Sequence, residues 1–110
     1  MPNVVQVTDS NYEQVVAQAE LPVVLAIGAS WCIDCRRIQP FFMQFSDMFA
    51  GKAVFASCDY DANPGMNERF GVSHIPTLVC IKGGKVVDTL IEPKSVAPFK
   101  AFIERNLAGN

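Results

Sequence analysis

The sequence predicts a three-layer α/β/α domain built on a central five-stranded mixed sheet with four helices. Strand-like apolar runs alternate with helix-like periodicity in the order βαβαβαββα, which favours parallel crossovers followed by an antiparallel hairpin. The chain has 110 residues, of which 50% are hydrophobic and 18% are charged. This composition supports one hydrophobic core, and the length leaves no room for a second. We therefore expect a single domain over residues 1–110.

The first half of the chain alternates two strands with two helices. Ser10 and Glu13 have the spacing of a capping box, which begins a helix. The apolar run after Pro22 shows no alternation, which is typical of a strand covered on both faces. A longer helix has apolar residues three and four positions apart, and Pro40 within it is expected to kink it. The predicted elements are a strand at 4–7, a helix at 11–19, a strand at 23–27 and a helix at 32–49.

The second half of the chain contains the remaining strands. Gly83 and Gly84 join two strands at the spacing of a hairpin. Ser95 is placed to cap a last helix. The apolar face of that helix consists of Phe99, Phe102, Ile103 and Leu107. The predicted elements are a strand at 53–58, a turn at 61–65, a short helix at 66–70 and strands at 77–81 and 85–90.

Charge and hydropathy exclude several classes of function. Nine basic and eleven acidic residues give a net charge of −2, so we expect no nucleic-acid partner, which would need clustered basic residues. No apolar run approaches the length that spans a bilayer, so we expect no membrane partner. The first residues contain neither a basic segment nor a long apolar one, so no secretory signal is visible and a cytoplasmic location is expected.

Two cysteines, Cys32 and Cys35, lie where the second strand passes into the long helix. Two intervening residues place them one helical turn apart on the same side, with about 5–6 Å between Cβ atoms. A small adjustment brings them within the roughly 3.5–4.5 Å that a disulfide requires. Cys32 is the expected attacking thiolate, because the backbone N–H groups and dipole of a helix N-terminus stabilise an anion. Cys35, one turn inside, is expected to be shielded and to react second.

A structural zinc site is the alternative for this pair. Such a site takes four ligands, and the other candidates, Cys58, Cys80 and His74, are scattered over separate predicted elements. We expect Cys58 and Cys80 to be small buried apolar residues and His74 to be a solvated loop residue. The redox interpretation is therefore favoured, and no metal site is expected.

Several segments of the sequence resemble the thioredoxin family, and together they extend over nearly the whole chain. The central one is Trp31-Cys32-x-x-Cys35 after the second strand, with Pro40 at the matching helix position. The other matching segments are Asp61-x-Asn63-Pro64-Gly65, Gly71-Val72-x-x-Ile75-Pro76-Thr77 and Lys82-Gly83-Gly84-Lys85.

This resemblance implies a thioredoxin fold and a thiol-disulfide oxidoreductase, with a protein disulfide reductase or electron carrier as the favoured form. It implies that Cys32 and Cys35 cycle between dithiol and disulfide, and that Pro76 is a cis-proline beside them. Trp31, Ile75 and Pro76 would bind an extended protein or peptide substrate. The electron donor would be similar to flavin-dependent thioredoxin reductase, and no bound cofactor would be needed, because the cysteines carry the electrons.

The sequence departs from the family pattern around the cysteine pair. Ile33 and Asp34 stand where most thioredoxins have glycine and proline, and Ala26 replaces a buried aspartate beneath the second cysteine. We predict that these three residues tune the redox reaction. The Asp34 carboxylate would disfavour the Cys32 thiolate by repulsion, and the missing carboxylate at Ala26 would slow proton transfer at Cys35. Three further positions depart from the family pattern. Gly28 stands where the family has an aromatic residue, and Ser57 stands where it often has a lysine. Glu92 stands where it has a glycine in the loop after the fifth strand, which is part of the usual substrate-docking surface.

Two other functions remain open from the sequence. One is a disulfide oxidase or isomerase of the same fold, which differs in redox potential; a tenfold change in equilibrium corresponds to only about 30 mV. The other is a non-catalytic thioredoxin-like module that binds a partner protein. The presence of both cysteines argues against the second.

Overall fold

The computed structural model describes residues 3–107, in which five strands form one mixed sheet. The strands are β1 (Val4–Gln6), β2 (Val23–Gly28), β3 (Val54–Asp59), β4 (Thr77–Lys82) and β5 (Lys85–Ile91). The helices are a short π-helical segment (Glu13–Ala17), α1 (Ile33–Met48), α2 (Pro64–Phe70) and α3 (Val96–Leu107). The predicted α/β architecture, with a five-stranded mixed sheet and four helical segments, is confirmed. The predicted range of 1–110 extends at both ends beyond the described residues.

Strand β2 occupies the centre of the sheet, which has the order β1-β3-β2-β4-β5. β1, β3 and β2 run parallel, whereas β4 is antiparallel to both β2 and β5. Both faces of β2 are covered, and Val23, Val24 and Leu25 are almost fully buried. The same order places β2 between Cys58 on β3 and Cys80 on β4, so these two thiols lie on strands that are not neighbours.

The core lies on both faces of the sheet. On one face α1 and α3 pack through aromatic rings, with Phe42 edge-on to Phe55 at 5.2 Å and Phe45 edge-on to Phe99 at 5.7 Å between ring centroids. On the other face the π-helical segment and α2 cover β2 through Val16 and other apolar side chains. The predicted apolar face of the last helix is confirmed, because all four of its residues are buried.

The first helix differs from its prediction. Only Glu13–Ala17 is helical, its winding is that of a π-helix, and its N-cap residue Tyr12 makes no side-chain cap. The reciprocal hydrogen bonds of a capping box instead join Thr8 and Asn11: the Thr8 N–H donates to Asn11 Oδ1 at 2.7 Å, and the Asn11 N–H donates to Thr8 Oγ1 at 3.3 Å. The chain turn is therefore stabilised two residues earlier than Ser10 and Glu13 suggested.

The long helix α1 carries the cysteine motif and is only one residue shorter at each end than predicted. Cys32 is its N-cap, and the helix continues through Pro40 to Met48. Within residues 3–107 no helix is long and apolar enough to cross a bilayer.

Candidate active site

Cys32 sits at the N-cap of α1, directly after the loop that leaves β2. Its backbone is extended, with φ −87° and ψ 119°, and its sulfur accepts a hydrogen bond from the Cys35 N–H at 3.2 Å. The first N–H groups of a helix have no partner within the helix, and the sulfur of Cys32 supplies an acceptor for one of them. The same sulfur lies 3.9 Å from the carbonyl oxygen of Ile75. The N-cap position predicted for Cys32 is therefore observed.

Cys35 lies one helical turn further along and has a strongly raised pKa. Burial is the main cause, hydrogen bonding to Cys32 adds to it, and the negative charges of Cys32 and Asp34 contribute further. Together they raise the pKa of Cys35 to about 12 from an ordinary 9.0. Cys35 is therefore protonated at neutral pH and must lose its proton before it can act as a nucleophile.

An open groove of about 530 Å³ runs past the Cys32 side of the pair. The Ile75–Pro76 peptide bond, which borders Cys32, is cis, as the resemblance implied. Trp31 is 63% exposed, and its indole N–H donates to Asp61 Oδ2 at 2.6 Å. Trp31, Cys32, Ile33 and Ile75 all line this groove. The structure thus brings the predicted cysteine pair together with an exposed aromatic ring and a cis-proline loop.

The sequence matches known proteins. The thioredoxin family model matches residues 3–105. This chain belongs to the thioredoxin family. It is 33% identical over 107 residues to a thioredoxin of Haemophilus influenzae, which covers 97% of this chain and 100% of the relative. A thioredoxin of Allochromatium vinosum is 33% identical over 104 residues, with 94% and 97% covered. Thioredoxin 1 of Nostoc is 31% identical over 102 residues, with 93% and 95% covered.

Family membership identifies the chemistry of the cysteine pair. Thioredoxins are thiol-disulfide oxidoreductases, and this chain is one of them. All four of its cysteines are free in the structure, which therefore describes the dithiol form. A thiol pair in which one sulfur is stabilised as an anion and the other is held protonated beside it is suited to exchange with a disulfide.

A cavity of about 370 Å³ separates the first turns of α1 from the sheet, and it coincides with departures from the family pattern. Its floor is a row of register partners across four strands: Gln6, Ser57, Ala26 and Leu78. Ser57 and Ala26 are small side chains in this row, and Gly28 beside them has none. An ideal Cβ at Gly28 would lie only 2.9 Å from Cys35 Sγ. The Cys35 sulfur therefore rests in space that a side chain at position 28 would need.

This cavity changes the accessibility of the two cysteines. Cys35 lines it and is partly exposed, whereas Cys32 is 8% exposed. The expectation that Cys35 is the more shielded residue of the pair is therefore wrong, although burial still raises the pKa of its thiol. The physical reason is the missing volume at Ala26, Gly28 and Ser57, which leaves open the side of Cys35 that faces the sheet.

Asp34 is paired with two cations in the structure. Lys94 donates to Asp34 Oδ2 at 3.1 Å, and Arg37 donates to the other carboxylate oxygen. The hydrogen bond from Lys94 is the main cause that lowers the pKa of Asp34. These partners offset part of the negative charge of Asp34, which was predicted from the sequence to repel the Cys32 thiolate. The charge of Asp34 still contributes to the raised pKa of Cys35.

Lys94 also connects Asp34 to the loop that carries Glu92. It donates to Glu92 Oε2 at 3.2 Å, and the Glu92 N–H donates to the Pro76 carbonyl at 2.8 Å. Glu92 has a φ of 49°, in the left-handed region that favours glycine, where the family pattern has a glycine. This network connects α1, the loop that contains the cis-proline and the loop between β5 and α3.

The two remaining cysteines are core residues. Cys58 is 1% exposed and Cys80 is 0% exposed, as predicted. Burial raises the pKa of Cys58 to about 11 and also raises that of Cys80, so both thiols are protonated at neutral pH. No cluster of three or more His, Cys, Asp or Glu residues in the described part of the chain could hold a metal ion.

Sequence reasoning missed three partners of the site. Asp61 accepts the indole N–H of Trp31, and Lys94 and Arg37 form ion pairs with Asp34. Arg37 was detectable, because it follows Asp34 at the i,i+3 spacing of helical ion pairs. Asp61 and Lys94 are 30 and 60 residues from their partners, so only the fold brings them together.

Proposed function

We propose that this protein is a protein disulfide reductase that uses Cys32 and Cys35 as its redox pair. The observation that carries the proposal is the position of Cys32, whose sulfur accepts the Cys35 N–H at the start of α1 and borders the cis Ile75–Pro76 bond. An anion-stabilised sulfur at the edge of an open groove favours attack on a disulfide brought in by another molecule.

The cycle begins when the Cys32 thiolate attacks a substrate disulfide. An S–S bond forms between Cys32 and one substrate sulfur, and the other substrate sulfur leaves as a thiolate. Cys35 then loses its proton and attacks Cys32, which releases the second substrate thiolate and leaves the Cys32–Cys35 disulfide. Two electrons pass from the pair to the substrate. No bound cofactor takes part, because the sulfur atoms carry both electrons.

The substrate in this proposal is an extended protein or peptide segment. It lies in the groove between the exposed ring of Trp31 and Ile75, the residue that precedes the cis-proline Pro76. Pro76 has no N–H, so the edge of this loop offers the Ile75 backbone for pairing with an extended chain. Ile33, which is 62% exposed beside Cys32, enlarges the apolar contact.

The oxidised pair must be reduced again by a donor. We propose a flavin-dependent reductase similar to thioredoxin reductase, which the family relationship supports. We also propose that the protein acts in a reducing compartment, the cytoplasm, where a dithiol is maintained and disulfides are transient.

Reduction of insulin by dithiothreitol tests this function. The wild type should accelerate the turbidity caused by separated insulin chains, and Cys32→Ala should abolish the acceleration. Cys80→Ala is the matched control, because it removes one buried thiol outside the site, and it should keep the wild-type rate. Equal, slow turbidity for the wild type and Cys32→Ala would instead indicate a non-catalytic binding module.

A further inference from the structure

The cavity beneath α1 provides the Cys35 sulfur with an approach that is separate from the substrate groove. Cys35 lines the cavity but not the groove, and Cys32 lines the groove but not the cavity. The mouth of the cavity is polar and solvent-exposed. Its exposed residues are Gln6, Ser30, Arg36, Gln39 and Asp59. Cys35 therefore borders a second opening, which Cys32 does not line.

The size of the cavity restricts what can use this approach. Its volume of about 370 Å³ is at the small end of the roughly 300–1,000 Å³ that pockets for small molecules span. A protein segment that carries a disulfide or a thiol does not fit beneath a helix in this space. A small molecule with a few heavy atoms does, and Ala26 and Ser57 leave the space free for it.

We propose that this cavity is an access site for a small-molecule thiol, which attacks the Cys35 sulfur of the oxidised pair and so returns electrons to the protein. This inference rests on the proposed function and names a second class of electron donor for it. The thiolate of the small molecule forms an S–S bond to Cys35 Sγ, and the Cys32–Cys35 bond breaks with Cys32 leaving as a thiolate. A second small thiolate attacks the sulfur of the bound one. This step releases a small disulfide and the Cys35 thiolate, which takes a proton from water. Two small thiols are oxidised and the cysteine pair is reduced.

The properties of the two sulfurs favour attack at Cys35. Attack at Cys32 would expel Cys35, and burial, which raises the pKa of the Cys35 thiol, makes it a poor leaving thiolate. Attack at Cys35 expels Cys32, whose sulfur is stabilised by the Cys35 N–H at 3.2 Å. Displacement at sulfur requires approach opposite to the leaving sulfur, and Cys35 borders a cavity that Cys32 does not line.

The test compares a small thiol with a large one on the oxidised full-length protein. The probes are 2-mercaptoethanol and a thiol-terminated polyethylene glycol too large for the cavity. The reaction is quenched with acid at early times, and peptide mass mapping locates the mixed disulfide. We expect 2-mercaptoethanol on Cys35 and the polymer on Cys32. Location of both probes on Cys32 would overturn the inference.

A variant that fills the cavity provides the matched comparison. Ser57→Leu should slow the reaction with 2-mercaptoethanol about tenfold, the change produced by a barrier higher by about 1.4 kcal/mol, and should leave the reaction with the polymer unchanged. Ser10→Leu makes the same chemical change at an exposed position and should behave as the wild type. Unchanged kinetics in folded Ser57→Leu would contradict the inference. If that variant does not fold, the location of the adducts on the wild type decides alone.

Failure of the inference and failure of the proposed function give different results. A Cys32–Cys35 disulfide that forms under mild oxidation but is attacked at Cys32 by both probes contradicts only the access site. A pair that forms no disulfide contradicts the reductase itself.

Discussion

Replacing Ala26 with aspartate should accelerate the step in which Cys35 resolves the mixed disulfide. Burial and the charge of Asp34 both raise the pKa of Cys35 and both persist in the mixed disulfide, so very little of this thiol is ionised at neutral pH. Ala26 lines the same cavity as Cys35, so an aspartate has space there and can accept the thiol proton. A positioned base contributes about 10²–10⁴ in rate, and we expect roughly a hundredfold faster resolution at pH 7.

The dependence on pH distinguishes this explanation from a change in substrate binding. In the wild type the resolution rate should rise about tenfold per pH unit from pH 7 to pH 9, because the thiolate population of Cys35 rises in proportion as long as the pH lies below its raised pKa. In Ala26→Asp the rate should depend less on pH, because an ionised aspartate beside Cys35 takes the proton directly.

Single-turnover stopped-flow kinetics on a preformed mixed disulfide measure this step. Ala26→Asn is the matched control: it has nearly the same shape as aspartate but no basic group, and it should keep the rate and pH slope of the wild type. A wild-type rate that levels off between pH 7 and pH 9 would refute the reasoning. So would an acceleration by asparagine equal to that by aspartate.

Three further changes test other parts of the structure. Asp34→Asn should lower the pKa of Cys35, because the Asp34 charge contributes to raising it; an unchanged thiol titration by NMR would contradict this. Phe99→Ala, at 0% exposure, should lower the free energy of unfolding in urea by about 3–5 kcal/mol, and Phe41→Ala, at 37% exposure, by much less; equal losses would contradict the packing described. The free energy of unfolding should fall as the pH rises from 9 to about 11, because the unfolded chain loses the Cys58 proton at 9.0 and the folded chain at about 11; Cys58→Ala should reduce that fall, and an identical pH dependence in both proteins would contradict it.

Much of the fold follows from patterns that are local in the chain. The apolar run of β2, the spacing of apolar residues in α3 and the Gly83-Gly84 hairpin each specify an element, and the structure places all three as predicted. The first helix was predicted too long, because Thr8 and Asn11 compete for the same turn through their own side chains. The outcome of such competition depends on the geometry of the side chains, which the spacing of capping residues in the sequence does not specify.

The candidate site shows the same division. The N-cap position of Cys32 and the proximity of Cys35 follow from two intervening residues at a helix start. The ion pair between Asp34 and Lys94 does not follow from the local sequence. The two residues are 60 positions apart, and the loop after β5 places Lys94 beside Asp34. The cavity is also beyond sequence reasoning. Ala26 and Ser57 are each recognisable as small, but their effect appears only when the sheet places them side by side beneath Cys35.

The most direct test of the central claim is the equilibrium of the four thiols in a series of reduced and oxidised glutathione buffers, read by differential alkylation and mass mapping. Cys32 and Cys35 should convert together between dithiol and disulfide in one two-electron transition, while Cys58 and Cys80 remain thiols throughout. The midpoint of that transition gives the redox potential of the pair. A disulfide that involves Cys58 or Cys80, or a pair that stays reduced in fully oxidised buffer, would contradict the account.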